Sequence, residues 1–172
     1  MSARCVVTAR CHVEIRSFRA RINTCQESYV KLNGTLIFYS SSHCNSTIVP
    51  TPVDMTRGIH THLIDPFACS MIEVRHFDTH SSDAAASALR DYLDGLDDFA
   101  VITGNMLDDA ANHLSPAHDA LMKVGVDLRG LNYSDTFAFV TQKTTNEKIL
   151  RKESKDDSTL NPAKLSAMIT GM

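Results

Sequence analysis

At 172 residues the chain has the length of one domain, enough to bury roughly two-thirds of its unfolded surface. Its 43% hydrophobic and 22% charged residues are ordinary globular usage, which argues against intrinsic disorder. A net charge of −3 without clustered Lys or Arg argues against a nucleic-acid partner, and no apolar run is long enough to span a bilayer.

In chain order, Cys11-His12-Val13-Glu14-Ile15-Arg16 alternates polar and apolar with period two and predicts a half-buried strand. Arg16, Arg19 and Arg21 then read as a solvated basic face. Asn33-Gly34 tolerates the positive φ angles of a tight turn, so residues 29–32 and 35–39 predict a hairpin with the Asn33 sequon exposed. Residues 40–56, rich in Ser, Thr and Pro, predict a loop. Residues 58–64 and 71–77 predict two strands joined across Asp65-Pro66. Ser81-Ser82-Asp83 predicts the cap of a helix running to about Leu93, with Ala85, Leu89 and Leu93 on one stripe and Gly95 as its stop.

Residues 99–103 predict a short apolar strand buried on both faces. Ser115-Pro116 predicts a cap followed by an N1 proline, starting a helix through Val124 that Gly125 stops. Residues 136–142 predict a last strand, with Phe137, Phe139 and Thr141 on one face and Ala138 and Val140 on the other. Beyond Lys143 the chain is polar and reads as a tail over 144–172, with a short docking helix over 160–172. The fold class is therefore α/β or α+β, with helices covering a sheet. Residues 1–143 form the domain.

Five cysteines stand at 5, 11, 25, 44 and 69, all in the first half, which suits a disulfide-stapled N-terminal region. Sequence order makes Cys5 or Cys11 with Cys25, and Cys44 with Cys69, the neighbouring pairs. The odd fifth cysteine offers a link to a second copy. Three Asn-x-Ser/Thr triplets, at Asn33, Asn45 and Asn132, are candidate glycosylation sites. Residues 1–10 hold two arginines and no long apolar stretch, so they do not read as a signal peptide. The cysteines and sequons favour a mature secreted chain over a cytosolic one.

Several motifs stand in order along the chain: Val30-Lys31-Leu32-Asn33-Gly34, Arg57-Gly58-Ile59-His60 and Arg75-His76-Phe77-Asp78-Thr79. Asp108-Asp109 then precedes a Leu-containing helix ending at Gly125, and Asp135-Thr136-Phe137-Ala138-Phe139-Val140 closes the set. Together they resemble the interleukin-like domain of the epithelial–mesenchymal transition (EMT) inducers and pancreatic-derived factor. The closest likeness is to the stem-type module of the protein O-mannose N-acetylglucosaminyltransferase, over residues 13–143. The resemblance implies a β-β-α sandwich with mixed sheets and covering helices. From the stem module it implies a sugar pocket for N-acetylglucosamine-type ligands. Arg57 and Asp108 hold the matching positions. In the third block Tyr133, Ser134 and Asp135 match Trp-Arg-Asp, so a five-donor arginine becomes one hydroxyl at Ser134.

Such a site suits a sugar on physical grounds. A carboxylate accepts from hydroxyls, a guanidinium donates to oxygens, and a ring covers the apolar face. The bland alternative is a structural ion pair between Arg57 and Asp108.

Eight histidines raise a metal reading through His60, His62, His76 and His80. No Asp, Glu or Cys partner is fixed by spacing, so a polar sheet face with ordinary histidines is preferred. Ser115, His118 and Asp119 are near neighbours on one helix start and do not converge as a hydrolytic triad. Asp97-Asp98 and Asp108-Asp109 read as acidic loops rather than glycosidase carboxylates. The expectation is a secreted, non-catalytic lectin. It needs no cofactor or metal, takes glycans or glycoproteins as partners, touches neither nucleic acid nor membrane, and forms homo-oligomers. The alternative is a cytokine-like factor acting through a protein receptor.

Overall fold

The structure, a computed structural model, describes residues 9–17, 26–42, 57–132, 135–143, 150–156 and 162–170. Its described residues form nine strands in two antiparallel sheets, with two short helices. The first sheet has the order β3-β2-β1-β9, where β1 is Arg10–Arg16, β2 Gln26–Leu32, β3 Thr35–Ser42 and β9 Lys164–Thr170. The second has the order β5-β4-β6-β7-β8, where β4 is Gly58–Asp65, β5 Ser70–Phe77, β6 Val101–Leu107, β7 Thr136–Gln142 and β8 Leu150–Asp156. Helix α1 is Asp83–Asp94. A 3-10 turn, Ser115–Ala117, leads into α2, His118–Lys123. The α+β sandwich is thus mainly sheet. The expected mixed sheets are instead wholly antiparallel, because every adjacent pair among the described strands runs in opposite directions.

Period-two patterning explains the layers. On β7, Phe137 and Phe139 join the core beneath the helices, while Ala138 and Val140 join the core between the sheets. A strand covered on both faces is apolar throughout, and all of β6 and β7 is buried. Helix α1 follows its predicted cap: the Ser82 hydroxyl accepts from the Ala85 N–H at 3.3 Å, and Gly95 ends the helix. Its buried stripe is Ala86, Leu89 and Leu93, with Ala85 half-buried.

Four expectations are corrected. The strand expected over 99–103 runs over 101–107, since Phe99 lies in the preceding turn at φ 69°. Ser115 starts a 3-10 turn and its side chain caps nothing; Leu114 occupies the cap position. The segment taken as a polar tail supplies β8 and β9. The docking helix expected over 160–172 is strand β9, which pairs with β1 from Arg10↔Thr170 to Arg16↔Lys164. Its alternation of buried Leu165 and Ile169 with exposed Lys164, Ser166 and Met168 is a strand period.

A further correction is the disulfide. Cys11 on β1 bonds Cys69 in the β4–β5 turn, with Cα atoms 5.2 Å apart, so neither Cys11–Cys25 nor Cys44–Cys69 forms. The bond joins the two sheets. Cys5, Cys25 and Cys44 lie outside the described residues, as do Arg19, Arg21 and the Asn45 sequon. The Asn33-Gly34 hairpin is as expected, with φ 47° and 81° and Asn33 exposed. The Asn33 side chain also accepts from the His12 N–H at 2.8 Å, locking the turn to β1.

Candidate functional site

Strands β4 and β6 pair from Gly58↔Leu107 to Ile64↔Val101. Arg57 and Asp108 are the residues one step beyond the first pair, so they share one end of the sheet. Strand β7 begins at Thr136 at that same end, which brings Asp135 there too. Three candidate sugar-site residues therefore converge on adjacent strand ends. Tyr133 and Ser134 lie outside the described residues. Asn132, the third sequon, is exposed beside them in sequence.

Gly58 explains why an Arg-Gly pair opens β4. Its φ is 125°, and a Cβ there would lie 2.3 Å from the Phe77 carbonyl oxygen and 2.9 Å from Asp78 Cα. Only glycine allows β5 to approach so closely. That approach sets Asp78 beside Arg57. The guanidinium Nε donates to Asp78 Oδ1 at 3.4 Å, and Nη2 donates to the Ser81 hydroxyl at 2.6 Å. Ser81 in turn donates to Asp78 Oδ2 at 2.6 Å. Burial pushes the Asp78 carboxyl up, but the Ser81 and Arg57 hydrogen bonds outweigh it and the net direction is downward. The structural ion pair of Arg57 is thus with Asp78 rather than Asp108. Asp78 and Ser81 are the site residues that sequence reasoning missed. The signal was present, since both sit within or beside the Arg75-to-Thr79 block, but only the strand register connects them to Arg57.

Asp108 sits at φ 62°, a left-handed conformation that aspartate tolerates better than most residues. Its half-buried carboxylate accepts no hydrogen bond from any described residue. The neighbouring Asp109 is buried and spoken for: Oδ2 lies 2.7 Å from His80 Nδ1, and Oδ1 accepts from the Ala111 N–H at 3.0 Å. Further bonds run from Thr79 Oγ1 to the Ala110 carbonyl and from the His113 N–H to the Thr79 carbonyl. They zip the loop after β5 to the loop after β6 and hold the Asp108 backbone. Asp135 Oδ2 accepts from the Asn132 N–H at 2.8 Å, so that carboxylate braces its own turn. What remains for a ligand is the half-exposed face of Arg57, with its remaining N–H donors, and the acceptor pair of Asp108.

The histidines do not form a polar outer face. His60 and His62 are fully buried between the sheets against Phe38, with ring centroids 5.3 Å and 4.7 Å away. His76 stacks on His60 at 4.6 Å and bonds the Arg57 carbonyl through Nε2 at 2.9 Å. His80 belongs to the Asp109 pair. Among the described residues, no group of three or more His, Cys, Asp or Glu could hold a metal ion. Nor is any helix there long and apolar enough to cross a membrane.

These features define an antiparallel two-sheet sandwich, covered by helices on one face, with a polar site at one end of the covered sheet. A family model, interleukin-like EMT inducer, matches residues 57–145, which is just over half of the chain. The chain belongs to the interleukin-like EMT inducer family. The matched segment runs from Arg57 past the end of β7, so it contains the whole strand-end site. No curated protein matches the chain.

Proposed function

We propose that the protein is a secreted, non-catalytic carbohydrate-binding module that takes N-acetylglucosamine-type or related sugars at the Arg57–Asp108 strand ends. The observation that carries the reading is that a held guanidinium and a carboxylate that no described residue engages sit one step beyond the same β4–β6 pair. A sugar offers vicinal hydroxyls and an acetamido group. Asp108 accepts from the first and Arg57 donates to the second. Secretion accords with the family and with the disulfide between the sheets.

A single shallow site of this kind binds weakly, so useful avidity calls for several copies. Of the five cysteines, three remain after Cys11–Cys69, an odd number that favours a link between chains. The test is a glycan array with the purified protein, read with and without free N-acetylglucosamine. Selective, competable binding supports the lectin reading. A blank array at high multivalent density overturns it and favours the second reading, a cytokine-like factor with a protein receptor. That second reading draws on family membership and on an exposed apolar patch far from the strand-end site.

A further inference from the structure

At the opposite end of the five-stranded sheet, the β4–β5 turn and the segment between α1 and β6 enclose a cleft of about 350 Å³. Its walls are apolar, with Leu63, Leu96 and Val101 among them. Phe67, Ile72 and Phe99 stand around it 61%, 62% and 49% exposed, three of the few large hydrophobic side chains left in solvent. The β4–β5 side of the cleft is braced. Cys69 ties the Phe67 turn to β1, and Asp65 Oδ1 accepts from the Phe67 and Ala68 N–H groups at 2.8 and 3.0 Å. Phe99 is held at φ 69°, a costly conformation for a bulky side chain.

The polar chemistry of the cleft is one-sided. Its only polar side chains are the carboxylates of Asp65, Asp97 and Asp98, which accept hydrogen bonds and donate none. Asp97 and Asp98 are exposed, and no described residue engages either carboxylate. The Lys143 ammonium donates to the Leu96 carbonyl at 2.7 Å. A sugar requires donors as well as acceptors, and an anionic membrane surface would be repelled. An apolar floor with an acceptor-only rim complements a cationic side chain next to an apolar one.

We infer that this cleft docks a segment of a partner protein in which a lysine or arginine neighbours a leucine or aromatic anchor. The anchor fills the space between Phe67 and Phe99, and the cation meets Asp97 and Asp98. The site is independent of Arg57 and Asp108, which lie at the other end of the same strands.

The test is fluorescence polarisation of the full chain with a labelled hexapeptide of alternating arginine and leucine. Two controls replace arginine by glutamate or leucine by serine. The arginine–leucine peptide should saturate, and both controls should bind at least about tenfold more weakly. Phe67→Ser and Phe99→Gly should each weaken binding about fivefold or more. The glycine keeps the positive φ, and circular dichroism verifies the fold. Asp97→Asn combined with Asp98→Asn should weaken binding about threefold or more and flatten its salt dependence. Arg57→Ala should leave it unchanged.

Equal binding by the glutamate peptide, equal binding by the variants, or no saturation at about 1 mM would overturn the inference. So would displacement by N-acetylglucosamine, which would make the cleft a sugar site. Conversion of a dimer to a monomer by Phe67→Ser in analytical ultracentrifugation would assign the patch to a second copy and overturn it as well.

Discussion

Asp78 holds Arg57 from the end of the neighbouring strand: the guanidinium Nε lies 3.4 Å from Asp78 Oδ1, and Ser81 bridges the two. This brace fixes the guanidinium at the strand end it shares with Asp108. A surface pair of this kind adds little stability, so its contribution lies in orientation.

The strand-end site is separable from the fold. Arg57→Ala should abolish sugar binding while shifting the urea midpoint very little. Asp108→Gly is the sharper variant, because glycine suits φ 62° and removes a carboxylate that no described residue engages. Binding should fall at least about tenfold with stability unchanged or raised by about 0.5 kcal/mol. Retained binding in both variants would remove the site from these residues.

Asp78→Asn should weaken sugar binding less than Arg57→Ala does, by loosening the guanidinium without deleting it. Calorimetry at two pH values reads this directly. In the wild type the Asp78 carboxyl is held below its usual range, so the brace is present above the unfolded pKa and is lost as pH falls through the folded one. The variant should lose that acid dependence.

Two glycines carry close approaches. At Gly104 a Cβ would sit 2.2 Å from the buried Phe139 ring, and at Gly58 it would meet the β5 backbone. Alanine at either position should cost about 2–4 kcal/mol in urea denaturation, Gly58 the more because backbone cannot rotate away. A cost below about 0.5 kcal/mol at both would contradict the packing.

His62 is buried and hydrogen-bonded to Thr103 at 3.2 Å. Burial, and then the nearby His60, push its pKa down to about 3, against an opposing hydrogen bond to the Thr103 backbone. The unfolded chain binds a proton near pH 6.5 that the folded chain refuses, so stability falls as pH drops from about 6.5 toward 3. The loss should reach the order of 3–5 kcal/mol. His62→Leu should flatten that acid limb in a urea-midpoint series. An unchanged slope would show that other groups control it.

Removing the Cys11–Cys69 bond opens a loop spanning 58 residues in sequence. Paired Cys→Ser substitution should cost about 4 kcal/mol on chain-entropy grounds. Non-reducing peptide mass spectrometry should find Cys11 joined to Cys69; either cysteine joined to a different partner would refute the pairing.

The elements set by local chemistry were legible in the sequence. Period two announces β1, Asn33-Gly34 announces its hairpin, and Ser82 announces α1, because each signal lies within a few residues of the structure it makes. Strand β9 carried the same alternation and was masked by the polar stretch before it. The brace of Arg57 on Asp78, the burial of His60 and His62 beneath Phe38, and the Cys11–Cys69 bond were not legible. Each depends on which strands pair, in what register, and how two sheets stack. Those choices are made by contacts between residues far apart in the chain, whose free energy no local window contains.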